Sequence, residues 1–180
     1  MFSTKLSARD GSEVLIREPK TSDDRALMAL INGISAEHMS GILVNRRITL
    51  KEEKAWLGDH LKEIKKRRTV LLVAEAEGAL VGICTVQRQA FKMSHRAIFG
   101  IALAKKWRGK GIGEELSRKA LELSGERMKG LEMIELNHFD YNKRASRLYR
   151  KLGFIVIGRT SKAIKEGPRY FDEHYMRLEL

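Results

Sequence analysis

The stretch Trp107-Arg108-Gly109-Lys110-Gly111-Ile112-Gly113-Glu114-Glu115-Leu116 places three glycines within five residues. The apolar segment before it, residues 97–103, has the pattern of a strand, and residues 114–128 after it have the pattern of a helix. The first amides of a helix lack partners within the helix, and the helix dipole is positive there. Because glycines let these amides approach a phosphate closely, the stretch predicts an anion site.

Two nucleotide-binding motifs resemble this stretch and are disfavoured. A P-loop requires Ser or Thr after Gly-Lys, but Gly111 follows Lys110 here. A dinucleotide fingerprint requires Gly-x-Gly-x-x-Gly, but Leu116 occupies the position of its last glycine. A glycine turn alone is weak evidence, and a plain helix entry remains its structural alternative.

Length and composition predict one globular domain. The chain has 180 residues, 43% of them hydrophobic and 32% charged, with a net charge of +12. We expect a single domain over residues 12–180, preceded by a short N-terminal extension, residues 1–11. The single cysteine, Cys84, excludes an intrachain disulfide and a cysteine-rich metal site, and its apolar surroundings predict burial.

Targeting signals were not found in the sequence. No apolar stretch reaches the roughly 18 residues that cross a bilayer, and the N-terminus lacks the apolar core of a signal peptide. We therefore expect a cytoplasmic protein without a membrane partner. The excess of basic residues is spread along the chain, and no aromatic-plus-basic strand motif supports RNA binding, so nucleic acid is disfavoured as a partner.

The order of predicted elements is β-α-α-β-β-β-α-β-α-β-β. It indicates an α/β (α+β) fold with a mixed, mostly antiparallel sheet of six to seven strands and about four helices. Residues 49–52, Thr-Leu-Lys-Glu, form a capping box that opens the second helix. The helix at 114–128 links the strands at 97–103 and 131–136, so we expect these two strands to be parallel.

A second motif lies after the strand at 131–136. Asn142, Ala145, Leu148-Tyr149 and Gly153-Phe154 match the pattern Asn-x-x-Ala-x-x-Leu-Tyr-x-x-x-Gly-Phe. Together with Arg108-x-x-Gly111-x-Gly113, this pattern resembles the GNAT superfamily of acyl-CoA-dependent N-acetyltransferases. The resemblance covers roughly residues 14–180 and includes the order of elements. The segment 170–176 resembles a branch that contains ribosomal-protein-alanine and amino-acid N-acetyltransferases.

The resemblance implies an enzyme that uses acetyl-CoA as co-substrate and needs no metal. The amides of the glycine turn would hold the pyrophosphate, and the preceding strand would pair with the pantetheine arm and direct an N–H, placed near Leu103, at the thioester carbonyl. The expected cofactor-binding residues are Ile101, Ala102, Leu103, Arg108, Gly109, Lys110, Gly111, Ile112, Gly113, Asn142 and Tyr149. Asn142 also has a purely structural interpretation as a helix N-cap.

Catalysis would consist of direct attack by an amine through a tetrahedral intermediate. The resemblance implies that Tyr149 is the general acid that protonates the departing thiolate, although a packed core tyrosine is the alternative. Many members of the family carry an acidic base on the strand before the glycine turn, and residues 96–101 contain none. The first candidate for the general base is His95, and the others are Glu37, His38, Glu75 and His138. An amine that enters already neutral is a further alternative.

The acceptor is not named by the sequence. The family places it between the loop at 35–48 and the last two strands, which makes Glu37, His38 and Asp172 candidate substrate contacts. The expected acceptor is a primary amine on a small molecule, a protein N-terminus or a lysine, and the protein is a monomer or homodimer. The alternative is a non-catalytic acyl-CoA-binding sensor, or a basic nucleic-acid-associated protein, with the same fold.

Overall fold

The computed structural model describes all residues, 1–180, as eight strands and four helices. The strands are β1 (Ser3–Ser7), β2 (Glu13–Arg17), β3 (Thr69–Ala76), β4 (Ala79–Arg88), β5 (Arg96–Leu103), β6 (Met133–Phe139), β7 (Ile155–Glu166) and β8 (Arg169–Glu179). The helices are α1 (Asp24–Ser35), α2 (Leu50–Lys65), α3 (Ile112–Arg127) and α4 (Lys143–Lys151).

All strands form one mixed sheet in the order β1-β2-β3-β4-β5-β6-β8-β7. Only β5 and β6 are parallel, and every other neighbouring pair is antiparallel. The predicted fold and its parallel pair are therefore confirmed, and the sheet has one strand more than expected. The capping box is confirmed as well, because the Thr49 hydroxyl accepts from the Glu52 amide while the Glu52 carboxylate accepts from the Thr49 amide.

The additional strand lies in the segment that the sequence assigned to an extension outside the domain. Residues 3–7 form β1 and pair in register with β2. Phe2 and Leu6 pack against the core while Lys5 faces solvent, so only alternate positions carry an apolar side chain inward. Such a short, one-sided strand at a sheet edge lacks the continuous apolar pattern that marked the central strands, which explains the error.

The sheet is covered on both faces. Val70, Leu72 and Ala74 of β3 belong to a core cluster with α3, whereas Leu71 and Val73 belong to a second cluster with α1 and α2. Because successive side chains of a strand alternate between faces, this run of apolar residues is buried on both sides. Cys84 is fully buried, as predicted. No helix in the structure is long and apolar enough to span a membrane.

The parallel pair β5–β6 is short and then opens. Its register covers only Arg96–Ile98 against Met133–Glu135, although β5 continues to Leu103 and β6 to Phe139. Beyond Ile98 the two strands diverge, so the second half of β5 has a neighbour only in β4. This divergence creates an opening in the sheet at the end of β5 that leads into the glycine turn.

Contact between β1 and the core predicts a difference between two substitutions on the same strand. Leu6→Asp should lower the free energy of unfolding by about 2 kcal/mol because it brings a charge against apolar side chains. Lys5→Asp, on the exposed face, should change it by less than about 0.5 kcal/mol. Urea unfolding followed by circular dichroism checks this. Equal effects of the two substitutions would mean that β1 does not dock on the sheet.

Candidate active site

The glycine turn presents a series of free amides. The backbone N–H groups of residues 109–113 have no backbone or side-chain acceptor, and Gly111 is the N-cap of α3. Gly109 and Gly111 have φ values of +84° and +88°, a region that other residues rarely adopt. The alternation of ordinary and positive φ curves the amides toward one side, which is the arrangement that binds anions. The turn therefore fits the pyrophosphate expected from the sequence.

The N-terminal hairpin supports this turn. The Arg9 amide donates to the Lys110 carbonyl oxygen at 3.0 Å, and Lys110 Nζ forms an ion pair with Asp10 at 2.7 Å. Lys110 Nζ also lies 4.3 Å from the centroid of the Trp107 ring. The Arg9 side chain lies over Gly111, where an added Cβ would be 3.4 Å from its Nε. Arg9 is thus a second cation beside the turn, and the sequence did not indicate it.

Arg108 forms hydrogen bonds with two other segments of the protein. Its Nε donates to the Leu103 carbonyl oxygen at 2.8 Å, and its Nη1 and Nη2 donate to the two carboxylate oxygens of Glu37 at 2.6 and 2.9 Å. The guanidinium therefore joins the end of α1 to the end of β5. Glu37 was predicted to contact the acceptor and is instead the partner of Arg108.

The second half of β5 has a free backbone edge. The Ala104 amide donates to Val81 in β4, and the β4–β5 register continues without a shift, so even-numbered residues of β5 bond to β4. Ile101 and Leu103 must then direct their N–H groups to the other side, where β6 has diverged. These are the free groups to which an extended pantetheine chain can add as a strand.

A pocket of about 510 Å³ lies beside this free edge. Phe99–Ala102 of β5, Asn137 of β6 and Tyr149 of α4 form one wall, and the loop 41–48 and α2 form the other. Twelve of its 19 lining residues are hydrophobic, so the few polar groups stand out against an apolar surface. The polar side chains of the lining are Arg46, Glu52, Glu53, Thr85, Asn137 and Tyr149.

Tyr149 lines the pocket. It is 6% exposed, and its ring meets the ring of Phe99 edge to face at a centroid distance of 6.0 Å. Burial raises the pKa of Tyr149 above its usual value, so the phenol keeps its proton at neutral pH. The position and protonation state fit the predicted general acid.

Asn142 forms the N-cap of α4. Its side chain accepts a hydrogen bond from the Ala145 amide at 3.2 Å, as the structural interpretation expected. A Cβ added to Gly41 would lie 2.4 Å from Asn142 Nδ2, so the loop between α1 and α2 touches this cap. The contact joins the loop 41–48 to α4.

Glu52 and Glu53 are neighbours on α2 with opposite environments. The Glu52 carboxylate accepts hydrogen bonds from Arg46 and Thr49, and these hold its pKa at about 2. Glu53 is 4% exposed and has neither a hydrogen-bond donor nor a cation. Burial, and secondly the negative charge of Asp24, raise the pKa of Glu53 to about 7.

The base candidates named from the sequence do not meet in the pocket. His95 lies before the first residue of β5, at the end of the strand opposite the glycine turn. Glu75 forms an ion pair with Arg17 at 2.9 Å. His138 is buried, its ring 5.7 Å from that of Tyr149, and burial lowers its pKa. None of these three lines the pocket.

The acceptor contacts named from the sequence also lie elsewhere. Glu37 is the partner of Arg108, and His38 is exposed at the surface. Asp172 forms an ion pair with Arg159 and accepts from the Lys162 amide at 2.9 Å, which together lower its pKa. The residue that sequence reasoning missed is Glu53. The sequence contains one indication of its role, which is an acidic residue on the otherwise apolar face of α2, four residues before Leu57.

No group of three or more His, Cys, Asp or Glu side chains is positioned to hold a metal ion. The polar groups of the pocket are instead a phenol, an amide, a hydroxyl and three charged side chains. Proton transfer and hydrogen bonding are therefore the chemistry that these residues can perform.

Comparison with known proteins agrees with the geometry. The profile of the acetyltransferase (GNAT) family matches residues 42–154. The chain is 28% identical over 173 residues to the L-amino acid N-acetyltransferase AaaT of Escherichia coli (strain K12), which covers 92% of this chain and 97% of that protein.

Solved structures share the fold. A ribosomal-protein-alanine N-acetyltransferase from Brucella melitensis superposes with a TM-score of 0.81 at 24% identity, covering 92% of this chain and 99% of that one. A putative acetyltransferase, yncA, from Salmonella typhimurium, whose structure contains its cofactor acetyl-CoA, gives a TM-score of 0.81 at 20% identity, covering 92% and 93% of the two chains.

The contacts of Arg108 predict how it affects coenzyme A binding. If it acts by joining α1 to β5, Arg108→Ala and Glu37→Gln should each weaken binding about three- to tenfold, and the double variant should be no weaker than Arg108→Ala. Isothermal titration calorimetry with coenzyme A measures this. Glu77→Gln, which breaks the exposed pair with Lys106, is the control and should have little effect. Tighter binding by Glu37→Gln would show that Arg108 contacts the phosphates instead.

Proposed function

Because the chain belongs to the acetyltransferase (GNAT) family, it transfers an acetyl group from acetyl-CoA to an amine, and we propose that this amine belongs to a small amino acid. One observation carries the proposal. A single pocket joins the free edge of β5 and Tyr149 to a mostly apolar chamber between the loop 41–48 and α2. Its volume is in the range of pockets for small molecules, about 300–1,000 Å³.

The two ends of the pocket suit the two ends of such an acceptor. The β5 end offers free N–H groups and a phenol, so the reacting amine belongs there. Arg46 is the one cationic side chain in the lining; its Nη1 and Nη2 bind Glu52, and its Nε–H has no acceptor in the protein and remains for the α-carboxylate. Ile31, Ile42 and Trp56 surround the space between and favour an apolar side chain.

The reaction follows from these positions. The amine lone pair forms a bond to the carbonyl carbon of the thioester, and the electron pair of the C=O bond moves to the oxygen. One N–H group of the free edge of β5, that of Ile101 or that of Leu103, is the donor available to this oxyanion. When the C=O bond re-forms, the C–S bond breaks, and sulfur takes the electron pair and the proton of Tyr149. The amide nitrogen loses its second proton, and the phenol is restored.

The similarity to the E. coli L-amino acid N-acetyltransferase supports an amino acid as acceptor, since it extends over most of both chains. Residues 42–48 of the loop in the pocket wall lie within the segment matched by the family profile. A protein N-terminus and a lysine side chain are the other acceptors that the sequence left open.

An acceptor series tests the proposal through Arg46. L-Phenylalanine and phenethylamine share an amine and a ring but differ in the carboxylate. Arg46→Gln should lower kcat/KM for the amino acid about tenfold or more, because a charge-assisted hydrogen bond is lost, and should leave the decarboxylated amine unchanged. Thiol release from acetyl-CoA measures the rates across the L-amino acids.

Arg47→Gln is the matched control, since Arg47 is exposed and outside the pocket lining. Acetylation of peptide N-termini in preference to every free amino acid would contradict the proposal. Binding of acetyl-CoA without turnover on any amine would favour the sensor that the sequence analysis considered.

Removing the phenol tests the role proposed for Tyr149. Tyr149→Phe should reduce kcat about 100-fold, because the thiolate then leaves without a proton donor, while the affinity for coenzyme A stays within about twofold. Tyr170→Phe, on an exposed tyrosine, is the control. Steady-state kinetics and calorimetry measure both quantities. Unchanged kcat from pH 6 to 9 would contradict the assignment.

A further inference from the structure

Glu53 is placed by the helix that begins at the capping box. Its amide donates to the Thr49 carbonyl oxygen at 3.1 Å, so the residue lies in the first turn of α2 with its side chain on the wall of the pocket. There it is 4% exposed. Burying a carboxylate without a partner is unfavourable, and substitution by an apolar residue would pack as well. A buried, unpaired carboxylate on the wall of a pocket is a candidate for a functional group.

The surrounding charges leave Glu53 without a cation. On α1, Asp24 repels it and is itself paired with Lys54 at 3.7 Å. Asp23 lies just before α1 and Glu75 lies on β3, and both are bound to Arg17. The remaining charged or titratable groups of the pocket lining are Arg46, Glu52 and Tyr149.

Two of those three groups form an ion pair with each other. The Arg46 guanidinium binds Glu52 at 2.7 Å. Tyr149 across the pocket is neutral at physiological pH, because burial raises its pKa. A cation that enters the pocket therefore finds Glu53 as the one lining carboxylate without a partner.

We propose that the Glu53 carboxylate is the base that takes the proton from the acceptor's ammonium group before attack on the thioester. This inference rests on the proposed function. The step converts R–NH₃⁺ and the carboxylate into R–NH₂ and the carboxylic acid, and the proton passes to solvent after the product leaves. The nitrogen lone pair freed in this way forms the bond to the carbonyl carbon. Glu53 thereby fills the role left open because β5 carries no acid.

The protonation equilibrium of Glu53 suits this step. A base with a pKa near the working pH is ionised enough to accept a proton and basic enough to hold it. With a pKa of about 7, Glu53 meets both conditions, whereas Glu52, held at about 2, is too weak a base.

The decisive experiment compares the pH profiles of the wild-type enzyme, Glu53→Gln and Glu53→Asp with an amino acid acceptor. At pH 7, Glu53→Gln should lower kcat/KM about 100-fold and abolish the limb that rises through about pH 7. At pH 9.5 a large fraction of the free acceptor is already neutral, so the loss in kcat/KM should shrink to about tenfold. Glu53→Asp should restore part of the activity and the limb. Asp59→Asn, on the exposed face of α2, is the control.

An acceptor with an amine pKa near 6 provides a second readout, because it is neutral at pH 7.5. With it, the loss in Glu53→Gln should fall below about tenfold. If Glu53 only attracted the ammonium group, Glu53→Gln would raise KM and leave kcat unchanged, which would overturn the inference. Unchanged kcat/KM in Glu53→Gln would overturn it as well, with the proposed function intact. Wild-type protein that acetylates no amine would overturn the proposed function and the inference together.

Folding of the variant can be checked independently. The folded state raises the pKa of Glu53, so its charge destabilises the protein increasingly from about pH 4.5 to pH 7 and fully above that. Glu53→Gln should therefore melt a few degrees higher than the wild-type protein at pH 8, and show no such gain at pH 4.5. A lower melting temperature at pH 8 would contradict the unpaired, buried carboxylate on which the inference depends.

Discussion

The divergence of β5 from β6 is the constraint on which the rest of the site depends. The two strands share only three register pairs, after which the N–H groups of Ile101 and Leu103 have no partner in the sheet. Free backbone groups inside a domain are costly unless a ligand or water satisfies them. Here the opening borders both the free amides of the glycine turn and the pocket, the two places that we propose for the cofactor and the acceptor.

Ion pairs hold the segments around this opening in place. Arg108 joins Glu37 to the Leu103 carbonyl oxygen, and thereby ties the end of α1 to the end of β5. Arg17 joins Asp23 to Glu75, at the other end of α1. Each guanidinium meets two acceptors in a partly buried place, where paired charges keep their hydrogen bonds. Glu53, on the pocket wall, belongs to neither network and has no cation of its own.

The pKa values of the acidic residues in this protein differ because of their surroundings and not because of their residue type. Glu52 and Glu53 are chemically identical and adjacent, yet one accepts hydrogen bonds from Arg46 and Thr49 and the other is buried without a donor. The resulting difference of about five pKa units assigns a structural role to the first and leaves the second available for proton transfer. The same division applies to Glu37 and Glu75, whose arginine partners hold them away from the pocket.

The sequence by itself determined the fold and the family, and it predicted the glycine turn as the cofactor site. These depend on local patterns: glycines at fixed spacing before a helix, an N-cap asparagine, and apolar periods of two or 3.6 residues. Tertiary structure alone decided the acceptor side. Whether Glu37, Glu53, Glu75 or Asp172 is free depends on which cation lies near it, and those cations come from positions as much as 71 residues away. Tertiary structure also decided the position of β1, because a short edge strand is defined by its pairing with a neighbouring strand and not by its own residues.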